Sequence, residues 1–65
     1  MINRLSELRK LKGLTQERLA VLSGVHRVTI ARYETGRMNP NVKTLEKLST
    51  ALQVPIGDLI EQKAG

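Results

Sequence analysis

The sequence has no cysteine, tryptophan or phenylalanine, and only one histidine, one aspartate and one tyrosine. Without cysteine there is no disulfide, no thiolate metal ligand and no thiol nucleophile, and nothing points to an oxidising compartment. A reducing cytoplasm is the expected home. His26, Asp58 and Tyr33 are too few for a metal site or for the paired titrating groups that catalysis needs, so no metal, no cofactor and no enzymatic activity is expected. The longest apolar run is four residues, Leu19 to Leu22, which excludes a transmembrane span and a signal-peptide core. No linker, repeat or low-complexity tract divides the chain, and one domain is expected over residues 1–65.

What is present suits a small folded domain. Hydrophobic residues make up 40% and charged residues 26% of the 65, the balance of a globular chain. A domain this short buries only about 60% of its unfolded surface, so its core must be small. Eleven Lys and Arg stand against six Asp and Glu, a formal charge of +5. That excess marks a chain that meets phosphates or another anionic surface.

Apolar spacing divides the chain into five short helices. Leu5 and Leu8, with Leu11 or Lys12, repeat at helical intervals from a start at Ile2-Asn3, and Gly13 ends the pattern. Thr15 suits an N-cap, Glu17 puts an acid in the first turn, and Leu19, Ala20 and Leu22 form an apolar face that stops at Ser23-Gly24. From Arg27 to Tyr33, Ile30 and Tyr33 share one side while Arg27, Val28 and Arg32 lie on others, and Thr35-Gly36 closes the helix. Asn41 caps a fourth helix with the stripe Val42, Leu45, Leu48 and Leu52. Pro55 opens a last helix carrying Ile56, Leu59 and Ile60, and the tail beyond Glu61 is expected to fray. No window alternates as a strand would, so the fold class is all-α.

Several of these stretches together resemble a known family. Thr15-Gln16-Glu17-Arg18-Leu19-Ala20, Ser23-Gly24-Val25, Thr29-Ile30, Tyr33-Glu34-Thr35-Gly36-Arg37 and the later Leu45 to Leu52 stripe are similar to the helix-turn-helix of the phage repressor and Cro (Xre) family. The resemblance covers roughly residues 2–60. It implies a compact five-helix bundle of the lambda-repressor-like type, with the helix-turn-helix proper at 15–34 and double-stranded DNA as the partner. The residues also have physical reasons of their own. Ala20 must be small where two helices cross near a tight turn, and Gly24 suits a turn position of positive φ. Leu19, Val25 and Ile30 should lock the second and third helices onto Leu8 and the Leu45-Leu48 face.

Within that family pattern each polar position acquires a role. Arg9 and Glu34 are implied to form an ion pair between the first helix and the end of the third; the competing assignment makes Arg9 a phosphate clamp. Arg27, near the start of the third helix, is the first choice for a base contact, because its planar fork can bond O6 and N7 of guanine. A phosphate contact or plain solvation is its alternative. Val28 would meet a thymine methyl or pack on the second helix, and Arg32 would reach a base or the farther phosphates. Gln16 matches a position that binds phosphate at a helix N-terminus, with helix capping alone as its alternative, and Thr15 can cap and touch phosphate at once. Thr29 matches a small polar position near the DNA backbone, while Thr35 and Arg37 match the loop that grips phosphate, with capping as the other use of Thr35. Lys43 is a weaker phosphate candidate. His26 departs from the family pattern, which commonly has Ser or Thr there. Histidine is a poorer N-cap, so His26 either contacts DNA, with affinity rising as pH falls, or simply occupies the turn.

One such module offers few base contacts, and the expected assembly is a homodimer on a palindromic operator, acting as a transcriptional repressor. Ile56, Leu59 and Ile60 would either form the two-fold contact or complete the monomer core. The alternative function is an antitoxin or an adaptor that uses the fold to hold a protein. A membrane-surface role lacks the aromatic anchors it would need.

Overall fold

The computed structural model describes residues 4–60. Five helices follow in order: α1 (Leu5–Leu11), α2 (Gln16–Ser23), α3 (Arg27–Glu34), α4 (Val42–Leu52) and α5 (Ile56–Leu59). The start expected at Ile2-Asn3 and the tail beyond Glu61 lie outside the described residues. Ile60 is extended, and the Arg4 N–H reaches back to the Leu59 carbonyl at 3.4 Å, tying the two ends of the described chain together.

Leu5, Leu8, Leu19, Val25, Ile30, Tyr33, Leu48, Leu52 and Leu59 form the core, with Leu14, Ala20, Leu45, Ala51 and Val54 packed around it. α2 lies at the centre of the packing, against both α3 and α4, while α4 also holds α5 and α1 rests on α3. The grip on the second and third helices comes through Leu19, Val25 and Ile30, each 9% exposed or less. Fully burying a side chain of this size is worth about 1.5–3 kcal/mol, so this cluster carries most of the stability of so short a chain.

Two expectations about apolar residues, Leu22 and Val42, need correction, and two positions left open, Leu11 and Leu59, are decided by their burial. Leu11 is 71% exposed, because the inward face of α1 is Leu5, Leu8 and Arg9. Leu22 is 47% exposed and lies at the rim beside Leu14 and Ala51 rather than in the core. Val42 is 69% exposed although Ser49, two turns later on the same side of α4, is buried. The first turn of α4 therefore projects past its packed neighbours. Leu59 is completely buried and belongs to the core, which removes it from any dimer contact; Ile56 and Ile60 are half-buried.

The connections follow from backbone chemistry. Between α2 and α3, Gly24 sits at φ 75°, ψ 13°, and its N–H donates to the Ala20 carbonyl at 2.9 Å. A Cβ at Gly24 would meet nothing within 4 Å, so the glycine is required by its dihedrals and not by crowding. The Ser23 hydroxyl accepts the Val25 N–H at 3.1 Å and tightens the same turn.

α4 ends differently. Gln53 holds the left-handed conformation at φ 58°, ψ 44°, while the Val54 N–H donates to the Ser49 carbonyl and the Gln53 N–H to that of Thr50. This is the Schellman arrangement with a side chain where glycine is usual. A left-handed non-glycine residue costs roughly 1–2 kcal/mol, partly offset by the extra freedom of glycine in the unfolded chain. Gln53→Gly is expected to raise the melting temperature by about 3–6 °C, at about 4–8 °C per kcal/mol. Circular dichroism checks this, and an unchanged or lower melting temperature would mean the Gln53 side chain contributes contacts that outweigh the strain.

Candidate nucleic-acid interface

The outward surface of α3 follows from what its inward side must hold. Ile30 and Tyr33 are buried, so Val28 and Arg32, four residues apart, project from the opposite side. Arg27 is exposed at the first position, and Thr29 and Ala31 are half-buried on the flanks. Val28 is 44% exposed, an apolar side chain on an otherwise cationic face. The competing assignment for Val28, packing on α2, thus accounts for only part of its surface.

His26 is the N-cap of α3. Its Nδ1 accepts the Val28 N–H at 3.1 Å, the bond that a Ser or Thr hydroxyl would otherwise make. The expected weakness of histidine at this position is met by the ring itself. With Nδ1 accepting, the neutral ring carries its proton on Nε2. We expect His26→Ala to cost about 0.5–2 kcal/mol of folding stability, the usual cost of losing a cap. Urea denaturation measures it, and stability equal to the parent would show that the ring contributes nothing as a cap.

At the start of α2, Thr15 is the N-cap and its Oγ1 accepts the Arg18 N–H at 3.0 Å. Its own hydroxyl proton remains available to an anion. The N–H groups of the first turn have no partner within the helix, and the helix dipole favours negative charge there. At the far end of α3, the Thr35 hydroxyl donates to the Ala31 and Arg32 carbonyls at 3.1 and 3.2 Å. Its proton is used in closing the helix. Gly36, at φ 77°, turns the chain so that the Arg37 N–H bonds the Arg32 carbonyl at 3.0 Å. That bond anchors the backbone of Arg37, whose side chain is exposed just beyond α3. Lys43 is exposed in the first turn of α4.

Beneath this surface lies one charged network. Arg9 and Glu34 pair at 2.7 Å between Nε and Oε2, with a second bond from Nη2 to Oε1 at 3.2 Å, and their side chains are only 11% and 8% exposed. Arg9 Nη1 also donates to the Leu14 carbonyl at 2.7 Å, and the Leu14 N–H returns a bond to the Arg9 carbonyl. Gln16 Nε2 donates to Glu34 Oε1 at 3.0 Å. No buried side-chain nitrogen or oxygen among the described residues lacks a partner. The Arg9–Glu34 pair is present as the family pattern implies, and burial makes Arg9 an internal residue. The bonds from Gln16 and to Leu14 had no signal in the sequence, because apolar spacing says nothing about where an amide or a carbonyl will find a partner. Among the described residues no cluster suited to a metal is found, and no helix is long and apolar enough to cross a membrane.

A short helix locked by its cap, a tight glycine turn and a second helix with an exposed cationic face define the helix-turn-helix class of DNA-binding domain. The helix-turn-helix family model matches residues 5–59, and the chain belongs to that family, in its phage repressor and Cro (Xre) branch. It is a family of DNA-binding regulators, not of enzymes. The chain is 40% identical over 58 residues to the SPbeta prophage-derived HTH-type transcriptional regulator YonR of Bacillus subtilis (strain 168), covering 89% of this chain and 54% of YonR. It is 36% identical over 58 residues to the cryptic phage CTXphi transcriptional repressor RstR of Vibrio cholerae, covering 89% of this chain and 52% of RstR. The chain thus spans about half the length of both regulators. The crystal structure of the restriction-modification controller protein C.AhdI from Aeromonas hydrophila superposes with a TM-score of 0.84 at 44% identity, covering 88% of this chain and 86% of that one.

Proposed function

We propose that the protein is a sequence-specific transcriptional repressor that binds a palindromic operator as a homodimer, with α3 in the major groove. The observation that carries this reading is the α3 surface: Arg27, Val28 and Arg32 are exposed together while Ile30 and Tyr33 fix the helix from below. A helix is about 10–12 Å across and fits the major groove, where each base pair has its own donor and acceptor pattern. Phosphate-binding groups stand at both ends of the motif. Thr15, Gln16 and the free N–H groups of α2 serve one strand, and Arg37, with Thr29 as a lesser contributor, serves the other, while Thr35 closes α3. His26 adds an Nε2–H near the start of α3. RstR, named a transcriptional repressor, supports the direction of regulation. The cytoplasm is the compartment in which such an operator is met.

The two-fold contact falls to the half-buried Ile56 and Ile60, at the end of the fold opened by Pro55. Two copies so joined would read half-sites about one helical turn, roughly 34 Å, apart. Selection from a random double-stranded DNA pool tests the reading, together with sedimentation of the DNA-free protein at micromolar concentration. Enrichment of a palindrome with one-turn spacing supports it. Retention that depends steeply on salt but enriches no motif would overturn it, leaving only the non-specific attraction of a +5 chain for phosphate.

A further inference from the structure

The Glu34 carboxylate serves two elements at once. Oε2 takes Arg9 Nε, while Oε1 takes both Arg9 Nη2 and Gln16 Nε2. A carboxylate only accepts hydrogen bonds, so the Gln16 amide is forced to turn its nitrogen towards Glu34. One N–H is thereby committed, and the second N–H on the same nitrogen is left for an external acceptor. Glu34 is the last residue of α3 and Gln16 the first of α2. The bond therefore ties the amide at the start of one helix to the end of the helix that would lie in the groove. Arg9 completes the arrangement by cancelling the charge of Glu34. A phosphate arriving at Gln16 then faces a neutralised pair instead of a bare carboxylate.

We infer that the Glu34 carboxylate, its charge balanced by Arg9, is the positioning residue for Gln16, presenting a single pre-aimed amide N–H to a DNA phosphate. The inference rests on the proposed phosphate contact of Gln16 and adds how that contact is organised. A glutamine free to rotate would lose side-chain freedom on meeting DNA, whereas one already bonded to Glu34 loses little.

The test is a thermodynamic cycle in operator affinity, read by fluorescence anisotropy. Replacing a buried ion pair with apolar residues of similar size commonly preserves folding, so Arg9→Met with Glu34→Leu removes the tether while keeping the domain. Gln16→Ala is expected to weaken binding about tenfold in the parent, as for loss of one charge-assisted hydrogen bond. In the Arg9→Met/Glu34→Leu background the same change is expected to cost less than about twofold, the coupling that a double-mutant cycle isolates. An equal loss in both backgrounds overturns the positioning role. No loss in the parent overturns the phosphate contact of Gln16 itself, a different failure. A second measurement needs no variant and no DNA: the NMR order parameter of the Gln16 side-chain amide in the free protein. It is expected near the rigid-backbone value of about 0.85, with exposed Gln53 below about 0.6. A Gln16 amide as mobile as that of Gln53 overturns the inference even if the double variant fails to fold.

Discussion

Arg9→Ala is expected to lower the melting temperature by about 20 °C. Removing one partner of a buried ion pair costs about 3–5 kcal/mol, because the other charge remains buried without its partner. A domain of this size loses about 4–8 °C for each kcal/mol. At about 0.05–0.15 kcal/mol per residue, the loss is comparable with the whole stability of a chain this short, so the variant should be substantially unfolded at 37 °C. Three bonds disappear together: two to Glu34 and one to the Leu14 carbonyl. Arg9→Lys should fall between parent and alanine, since an ammonium keeps the charge but cannot span both Glu34 oxygens and the Leu14 carbonyl in one plane. Thermal unfolding followed by circular dichroism decides it. A variant that melts with the parent yet binds DNA more weakly would make Arg9 the phosphate clamp after all.

That buried arginine also marks the limit of what apolar spacing can reveal. α4 was legible because its N-cap Asn41 and its leucines at 45, 48 and 52 state both start and face, and the Asn41 side chain does accept the Thr44 N–H at 2.8 Å. α2 was legible at both ends for the same kind of reason, with a threonine cap and a glycine stop. α1 was legible only in part, because its inward stripe of Leu5, Leu8 and Arg9 includes a charge. Hydrophobic periodicity left Leu11 and Lys12 as alternatives for the last inward position, and both face solvent. The pairing with Glu34 spans 25 residues of sequence, and only the family pattern connected the two.

The end of the chain failed differently. Ile56, Leu59 and Ile60 look alike as a short apolar cluster, and nothing local says which one the core will claim. The answer depends on how α5 meets α4, which puts Leu59 inside and leaves Ile56 and Ile60 at the edge. At the candidate site, the exposure of Arg27, Val28 and Arg32 could be reasoned from Ile30 and Tyr33 alone. The capping bond of His26 could not, because residue statistics rank histidine low at a position where this backbone, with φ −59° and ψ 142°, points the ring nitrogen at the Val28 N–H.

The sharpest expected effect on recognition is that of Arg27→Ala. If its guanidinium spans O6 and N7 of a guanine, the variant should lose about 1–3 kcal/mol of discrimination, roughly 5- to 150-fold, at one base position in each half-site and little elsewhere. Arg37→Ala supplies the contrast. Its side chain follows the turn at Gly36 and its proposed partner is a phosphate, so that variant should bind all sequences more weakly and reduce the salt slope by about one. Val28→Ala should relax preference at a thymine without altering the salt slope, because an apolar contact displaces no counterion. Selection from a random pool with each variant, at two salt concentrations, separates the three outcomes. Uniform weakening with Arg27→Ala, accompanied by a lower salt slope, would move Arg27 to the phosphate backbone. Base reading would then fall to Val28 and Arg32, the two side chains that point directly away from the buried Ile30 and Tyr33.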